Sequence, residues 1–184
     1  MEEIIRKYNK EEAEVLRKSM ISDFVIPYLK VIFNEYGEFK SAAFMVAQYW
    51  DDEARDAVHC DFIFSVQARP DISASIAYHK ALNNENYKYL CDDINCPNYT
   101  YSRFMDMTEI ADDLLYLWPD NTEAIPAFSA FTREGGDQCA DLHENYSPYA
   151  FFSKKESGEI TYEVVGEMHR PWLDGVYPDW ERKN

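Results

Sequence analysis

Ser41-Ala42-Ala43-Phe44-Met45-Val46-Ala47-Gln48-Tyr49-Trp50, followed by Val58-His59-Cys60-Asp61-Phe62-Ile63-Phe64-Ser65-Val66, decides how this chain folds. The first segment is apolar almost throughout, with Phe44, Val46 and Trp50 interleaved by Met45, Ala47 and Tyr49. In the second, Val58, Cys60, Phe62, Phe64 and Val66 alternate with His59, Asp61 and Ser65. Period-two alternation of aromatic and β-branched residues is what a half-buried strand requires. Between the two lies the acidic connection Asp51-Asp52-Glu53-Ala54-Arg55-Asp56, so residues 41–67 are predicted to form a hairpin.

The flanking sequence changes period. Ile5, Tyr8, Val15, Leu16 and Met20 predict a charged helix over residues 2–20 with one apolar side. Tyr28, Leu29, Ile32, Phe33 and Tyr36 predict a second helix, with Pro27 in its first turn and Gly37 as its stop. Beyond the hairpin, Asp71 can cap a helix carrying Ile72, Ile76 and Leu82. Residues 83–100 are turn-rich, with a short helical piece around Tyr87–Leu90. Asp106 and Glu109 form a capping-box pattern ahead of Ile110, Leu114, Leu115, Leu117 and Trp118, and Pro119 ends that helix. Ala127 to Phe131 is short and apolar and is expected to be a strand. Tyr149–Ser153 and Ile160–Val165 flank Lys154-Lys155-Glu156-Ser157-Gly158, a second predicted hairpin. The expected class is α+β: a largely antiparallel sheet with helices packed on one face, in one domain over residues 1–184.

Composition narrows the class of partner. The 184 residues carry 18 basic and 34 acidic side chains, a formal net charge of −16. That balance argues against nucleic-acid binding, which neutralises phosphates with clustered Lys and Arg, and against an anionic membrane surface. It suits a basic protein partner. Met1-Glu2-Glu3-Ile4-Ile5-Arg6-Lys7 does not read as a signal peptide, and four cysteines in this length are no secreted disulfide framework. A cytoplasmic protein is expected.

From Tyr99 to Gly175 the chain resembles the SUKH superfamily, which includes bacterial toxin-immunity proteins and fungal cell-wall regulators. The likeness rests on Arg103-Phe104-Met105-Asp106-Met107-Thr108-Glu109-Ile110, on Ile125-Pro126, and on Gly135-Gly136-Asp137-Gln138-Cys139-Ala140-Asp141-Leu142. Tyr149-Ala150-Phe151-Phe152, Gly158-Glu159-Ile160 and Trp172-Leu173-Asp174-Gly175 continue it. Residues 1–98 have no assigned counterpart, 176–184 form a tail, and the family's upstream Asn-Gly is missing after Tyr87-Lys88-Tyr89-Leu90. The resemblance implies a scaffold that binds a protein, most often a toxin, with no catalytic residues. Gly135, Gly136 and Asp137 would then be a structural turn.

Other constellations have plainer readings. Cys91, Cys96, Cys139 and His143 could supply four zinc ligands, but their spacing is loose, and buried cysteines serve as small hydrophobes. No metal or other cofactor is therefore expected. His59 and Cys60 are neighbours on a strand and face opposite ways, which removes a nucleophilic dyad. Doublets at Asp51-Asp52, Asp92-Asp93 and Asp112-Asp113 read first as solvated surface. Where they do more, Asp51, Asp52, Glu53, Asp56, Asp92 and Asp93 are the expected contacts for a basic partner. Trp172, Tyr177 and Trp180 near the end are expected to pack back on the sheet. The reading that emerges is an acidic protein-binding module, an immunity protein that occludes a toxin. A metal-dependent hydrolase using an acidic doublet and a histidine, and an acidic nucleic-acid mimic, are its alternatives.

Overall fold

The computed structural model describes residues 7–50, 56–82, 121–133 and 146–176. The predicted helix at 106–118, the turn-rich stretch 83–100 and the Gly135-Gly136-Asp137 turn lie outside these residues.

Both predicted hairpins form. β1 (Ser41–Trp50) and β2 (Asp56–Ser65) pair antiparallel in continuous register from Ser41↔Ser65 to Trp50↔Asp56. β3 (Ser147–Lys154) and β4 (Ile160–Val164) form the second hairpin, with Gly158 at φ 82° in its turn. Antiparallel pairing of β1 with β3 joins the hairpins into one four-stranded sheet of order β2-β1-β3-β4. A bulge between Phe44 and Met45 puts Tyr149 and Ala150 on the same side of the sheet, both in the main core.

The first helical predictions merge. α1 (Lys10–Met20) runs through a π-helical turn (Ile21–Val25) into α2 (Ile26–Glu35) without a loop. Pro27 explains the wider turn: it cannot donate to the carbonyl four residues back, and its ring crowds that carbonyl. Asn9 rather than a residue near the start caps α1. Its side chain accepts from Glu12 N–H (2.8 Å), and its own N–H donates to the Glu12 carboxylate (3.0 Å). The buried stripe of α1 is Ala13, Arg17 and Met20, and Val15 is 62% exposed rather than on the apolar side. α3 (Ile72–Leu82) starts as predicted, with Asp71 accepting from Ala74 N–H at 2.9 Å.

Ala127–Phe131 is helical, which corrects the strand expected there. α4 (Asn121–Phe128) passes directly into a 3-10 turn (Ser129–Phe131). Five residues, mostly apolar, carry too little periodicity to separate helix from strand. The hydroxyl of Ser129 bonds back to the Ile125 carbonyl and that of Thr132 to the Ser129 carbonyl, which holds the chain coiled.

Ala42, Phe44 and Val46 of β1 face the main core with α1, α2 and α4. Phe44 packs edge-on against Phe128 and Tyr149, and Phe33 edge-on against Phe64. This is the expected helical layer. The other face is not bare: Ala43, Met45, Ala47, Ile63 and Tyr146 form a second, smaller core there, capped by Ile72 and Ile76 from the start of α3. Helical cover on two faces is why β1 is apolar on both sides instead of alternating.

Candidate functional site

Most of the acidic residues predicted to meet a partner, Asp51, Asp52, Glu53, Asp92 and Asp93, lie outside the described residues, as do Cys91, Cys96, Cys139 and His143. Asp56 is the first residue of β2, opposite Trp50. Among the described residues no group of three or more His, Cys, Asp or Glu side chains is placed to hold a metal. Nor is any helix there long and apolar enough to cross a membrane. Cys60 faces the main core, pushed up in pKa by burial first and by Asp61 second, so it is a poor thiolate source.

Two arrangements are built with more care. The first is a cleft of about 340 Å3 along the start of α1, lined by Tyr8, Asn9, Glu11, Glu12, Val15, Leu16 and Glu123. Glu11 and Glu12 occupy the first turn of α1 and Glu123 the first turn of α4, positions where carboxylates are stabilised by the helix dipole. One turn on, Glu14 is spoken for by Lys18 at 2.6 Å, which holds its carboxyl below the usual range. The cleft therefore presents carboxylates beside the apolar Val15 and Leu16, a combination that accepts a long basic side chain: stem on the apolar wall, head among the acids.

The cleft is anchored from behind by a buried arginine. Arg17, only 5% exposed, donates through Nη1 to the Ala127 carbonyl (2.7 Å) and to Asp174 Oδ1 (2.8 Å), and lies over the Phe131 ring at 4.7 Å. It thereby ties α1 to α4 and to the C-terminal 3-10 turn (Pro171–Leu173). Burial raises the pKa of Tyr149, and Arg17 holds it partly back. A second buried arginine, Arg170, donates through Nη2 to Gln48 Oε1 (2.9 Å), the Ser129 carbonyl (2.9 Å) and Thr132 Oγ1. It fixes the same C-terminal segment to β1. Trp172 is 66% exposed on that segment, which corrects its expected packing; Leu173 is the residue buried instead. Tyr177 and Trp180 lie outside the described residues.

The second arrangement lies on the smaller core. His59 and Asp61 share that face opposite Ala47 and Met45, while Cys60 points the other way, as the alternation requires. Tyr49 stacks flat on His59, with ring centroids 3.6 Å apart, and its hydroxyl lies 3.4 Å from that of Tyr146. Asp61 is half-buried and accepts from Phe62 N–H at 2.7 Å. Burial pushes its carboxyl up to about 7, with the bond from Phe62 N–H pulling the other way. Burial, Asp61 and Tyr49 raise the pKa of Tyr146 in turn.

This makes stability depend on pH in a stated direction. Below the unfolded carboxyl's pKa, near 4, Asp61 is protonated in both states and costs nothing. As pH climbs toward 7 the unfolded chain ionises first, so the folded state loses ground and the full loss is reached above 7. Asp61→Asn should raise unfolding free energy at pH 8 by about 2 kcal/mol, allowing for the partial exposure, and change little at pH about 4. Urea titrations of both proteins across this range measure it, and parallel curves at all pH values would contradict it.

The sequence missed Arg17, Arg170 and the Tyr49–Tyr146 pair. Nothing local marks an arginine for burial; its partners here lie 110 and 157 residues away. The grouping of His59 with Asp61 was legible from the same alternation that separated Cys60. Comparison with known proteins gives no matching family model, no matching curated protein and no matching solved structure.

Proposed function

We propose that this chain is an acidic protein-binding module, an immunity protein that neutralises a cognate toxin by occluding its basic surface. The observation that carries the reading is the cleft at the start of α1, where Glu11, Glu12 and Glu123 stand beside the exposed Val15. Trp172, 66% exposed, is a further aromatic anchor on the segment whose Gly175 packs against Asn9 of the cleft wall. A net charge of −16 draws a basic partner toward this surface, and the carboxylates then fix its orientation. The resemblance of residues 99–175 to the SUKH superfamily supports the same reading. Carboxylates that already favour their helix ends, and a helix held by Arg17, lose little freedom on binding.

Co-expression with the toxin encoded beside it should restore growth and yield a co-purifying complex. Glu11→Lys combined with Glu123→Lys should weaken that complex about tenfold or more, chiefly through a slower on-rate, because both side chains are exposed and removable without unfolding. Neither rescue nor complex with the unaltered chain would overturn the proposal.

A further inference from the structure

β4 is an edge of the sheet, and among the described residues no strand pairs with its outer side. The phase of its backbone follows from the flanking bonds. Lys155 N–H donates to the Glu159 carbonyl (2.9 Å) and Val165 N–H to the Tyr149 carbonyl (2.8 Å), with Thr161 opposite Ser153 and Glu163 opposite Phe151. Odd-numbered residues of β4 thus bond inward to β3, and Ile160, Tyr162 and Val164 turn their N–H and C=O groups outward.

Those same three residues share one face of the sheet. Tyr162 stacks on the buried Phe152 with centroids 5.5 Å apart, yet Tyr162 and Val164 remain 41% and 50% exposed. The main apolar face therefore runs past its helical cover to the sheet edge. Thr161 and Glu163 lie on the opposite face, where Glu163 pairs with Arg69 at 3.1 Å.

The alternation of apolar and polar residues over Ile160-Thr161-Tyr162-Glu163-Val164 is symmetric about Tyr162, with Thr161 and Glu163 as the polar pair. We propose that two copies of this chain pair antiparallel through β4, about a two-fold axis at Tyr162, to join their sheets into one. In that register each outward N–H meets a carbonyl of the other copy. Ile160 stands opposite the partner's Val164, Tyr162 opposite the partner's Tyr162, and Glu163 opposite the partner's Thr161. No carboxylate faces its own copy across the seam, as an isologous interface demands. Local charge permits the approach: among the described residues, Lys154, Lys155 and Arg69 offset Glu156, Glu159 and Glu163. Ion screening of the net charge of −16 carried by each copy strengthens the dimer, whereas salt weakens a complex with a basic toxin. The two proposals therefore fail separately.

Sedimentation equilibrium over a hundredfold range of protein concentration (about 10² in ratio), together with amide hydrogen exchange, tests the pairing on the unaltered chain. A reversible dimer is expected, tighter at high salt. The amides of Ile160, Tyr162 and Val164 should gain protection as concentration rises, while those of Thr161 and Glu163 stay protected throughout. Tyr162→Lys, which sets two ammonium groups face to face at the axis, should weaken the dimer about tenfold. A monomer at every concentration would overturn the proposal. So would a dimer that leaves the three outward amides unprotected, since it would use another surface.

Discussion

Arg17→Met is expected to lower the unfolding free energy by about 4 kcal/mol, the largest loss from any single substitution considered. Arg17 Nη1 serves both the Ala127 carbonyl and Asp174 Oδ1, and the guanidinium covers the Phe131 ring. The Asp174 side chain is 3% exposed, and its Oδ2 has no hydrogen-bond partner among the described residues. Removing the arginine strands a carboxylate and a carbonyl away from water, and that desolvation, more than the lost attraction, sets the size of the effect. The cause is separable. Arg17→Met with Asp174→Leu removes both charges and should recover more than half the loss. Urea unfolding midpoints at unchanged slope decide it; a double variant as unstable as the single one would contradict the desolvation argument.

Gly175→Ala should cost about 3 kcal/mol, from backbone strain and crowding together. Gly175 sits at φ 77°, which an L side chain rarely adopts. A Cβ there would also meet the Asn9 carbonyl oxygen and stand 2.5 Å from its carbon, closer than atoms can approach, with the Lys10 nitrogen tight at 3.0 Å. Those atoms are backbone at the cap of α1 and cannot swing aside. The substitution therefore pushes on the capping box of Asn9 and Glu12, and with it on the acidic cleft. Thermal unfolding reads the loss; a variant within about 0.5 kcal/mol of the parent would show that the C-terminal turn moves freely from α1.

Both predictions concern one junction, where the C-terminal segment closes on the start of α1. Arg17 and Gly175 set the position of α1, α1 carries Glu11, Glu12 and Val15, and those residues line the cleft. The cleft is thus placed by packing of residues 170–176 against α1 rather than by a motif within it.

Legibility in the sequence follows the range of the interactions. The two hairpins, the α+β class and the Asp71 cap depend on neighbours within a few residues, and alternation or capping chemistry displays them. The strand expected over Ala127–Phe131 fails because its coil is held by hydroxyl back-bonds and by packing under Phe44, neither visible in five residues. Pro27 marked the start of a helix correctly but gave no sign that a π-helical turn would bridge it to α1. The second core was hidden for a different reason. His59 and Asp61 look like a solvent face, and it takes Ile72 and Ile76, arriving from α3, to help cover Ala43, Met45, Ala47 and Ile63 on that side. For the site, the acidity of the chain was evident. Its concentration beside Val15 depends on α4 bringing Glu123 to α1, a contact set by Arg17 across more than half the chain.

The most direct test of the proposed function is a calorimetric titration of the purified chain with its proposed cognate toxin, at low and at high salt. The account predicts a one-to-one complex that weakens as salt rises, and that weakens again when Glu11 and Glu123 are both replaced by lysine. No heat of binding, or binding indifferent to both salt and charge reversal, would contradict it.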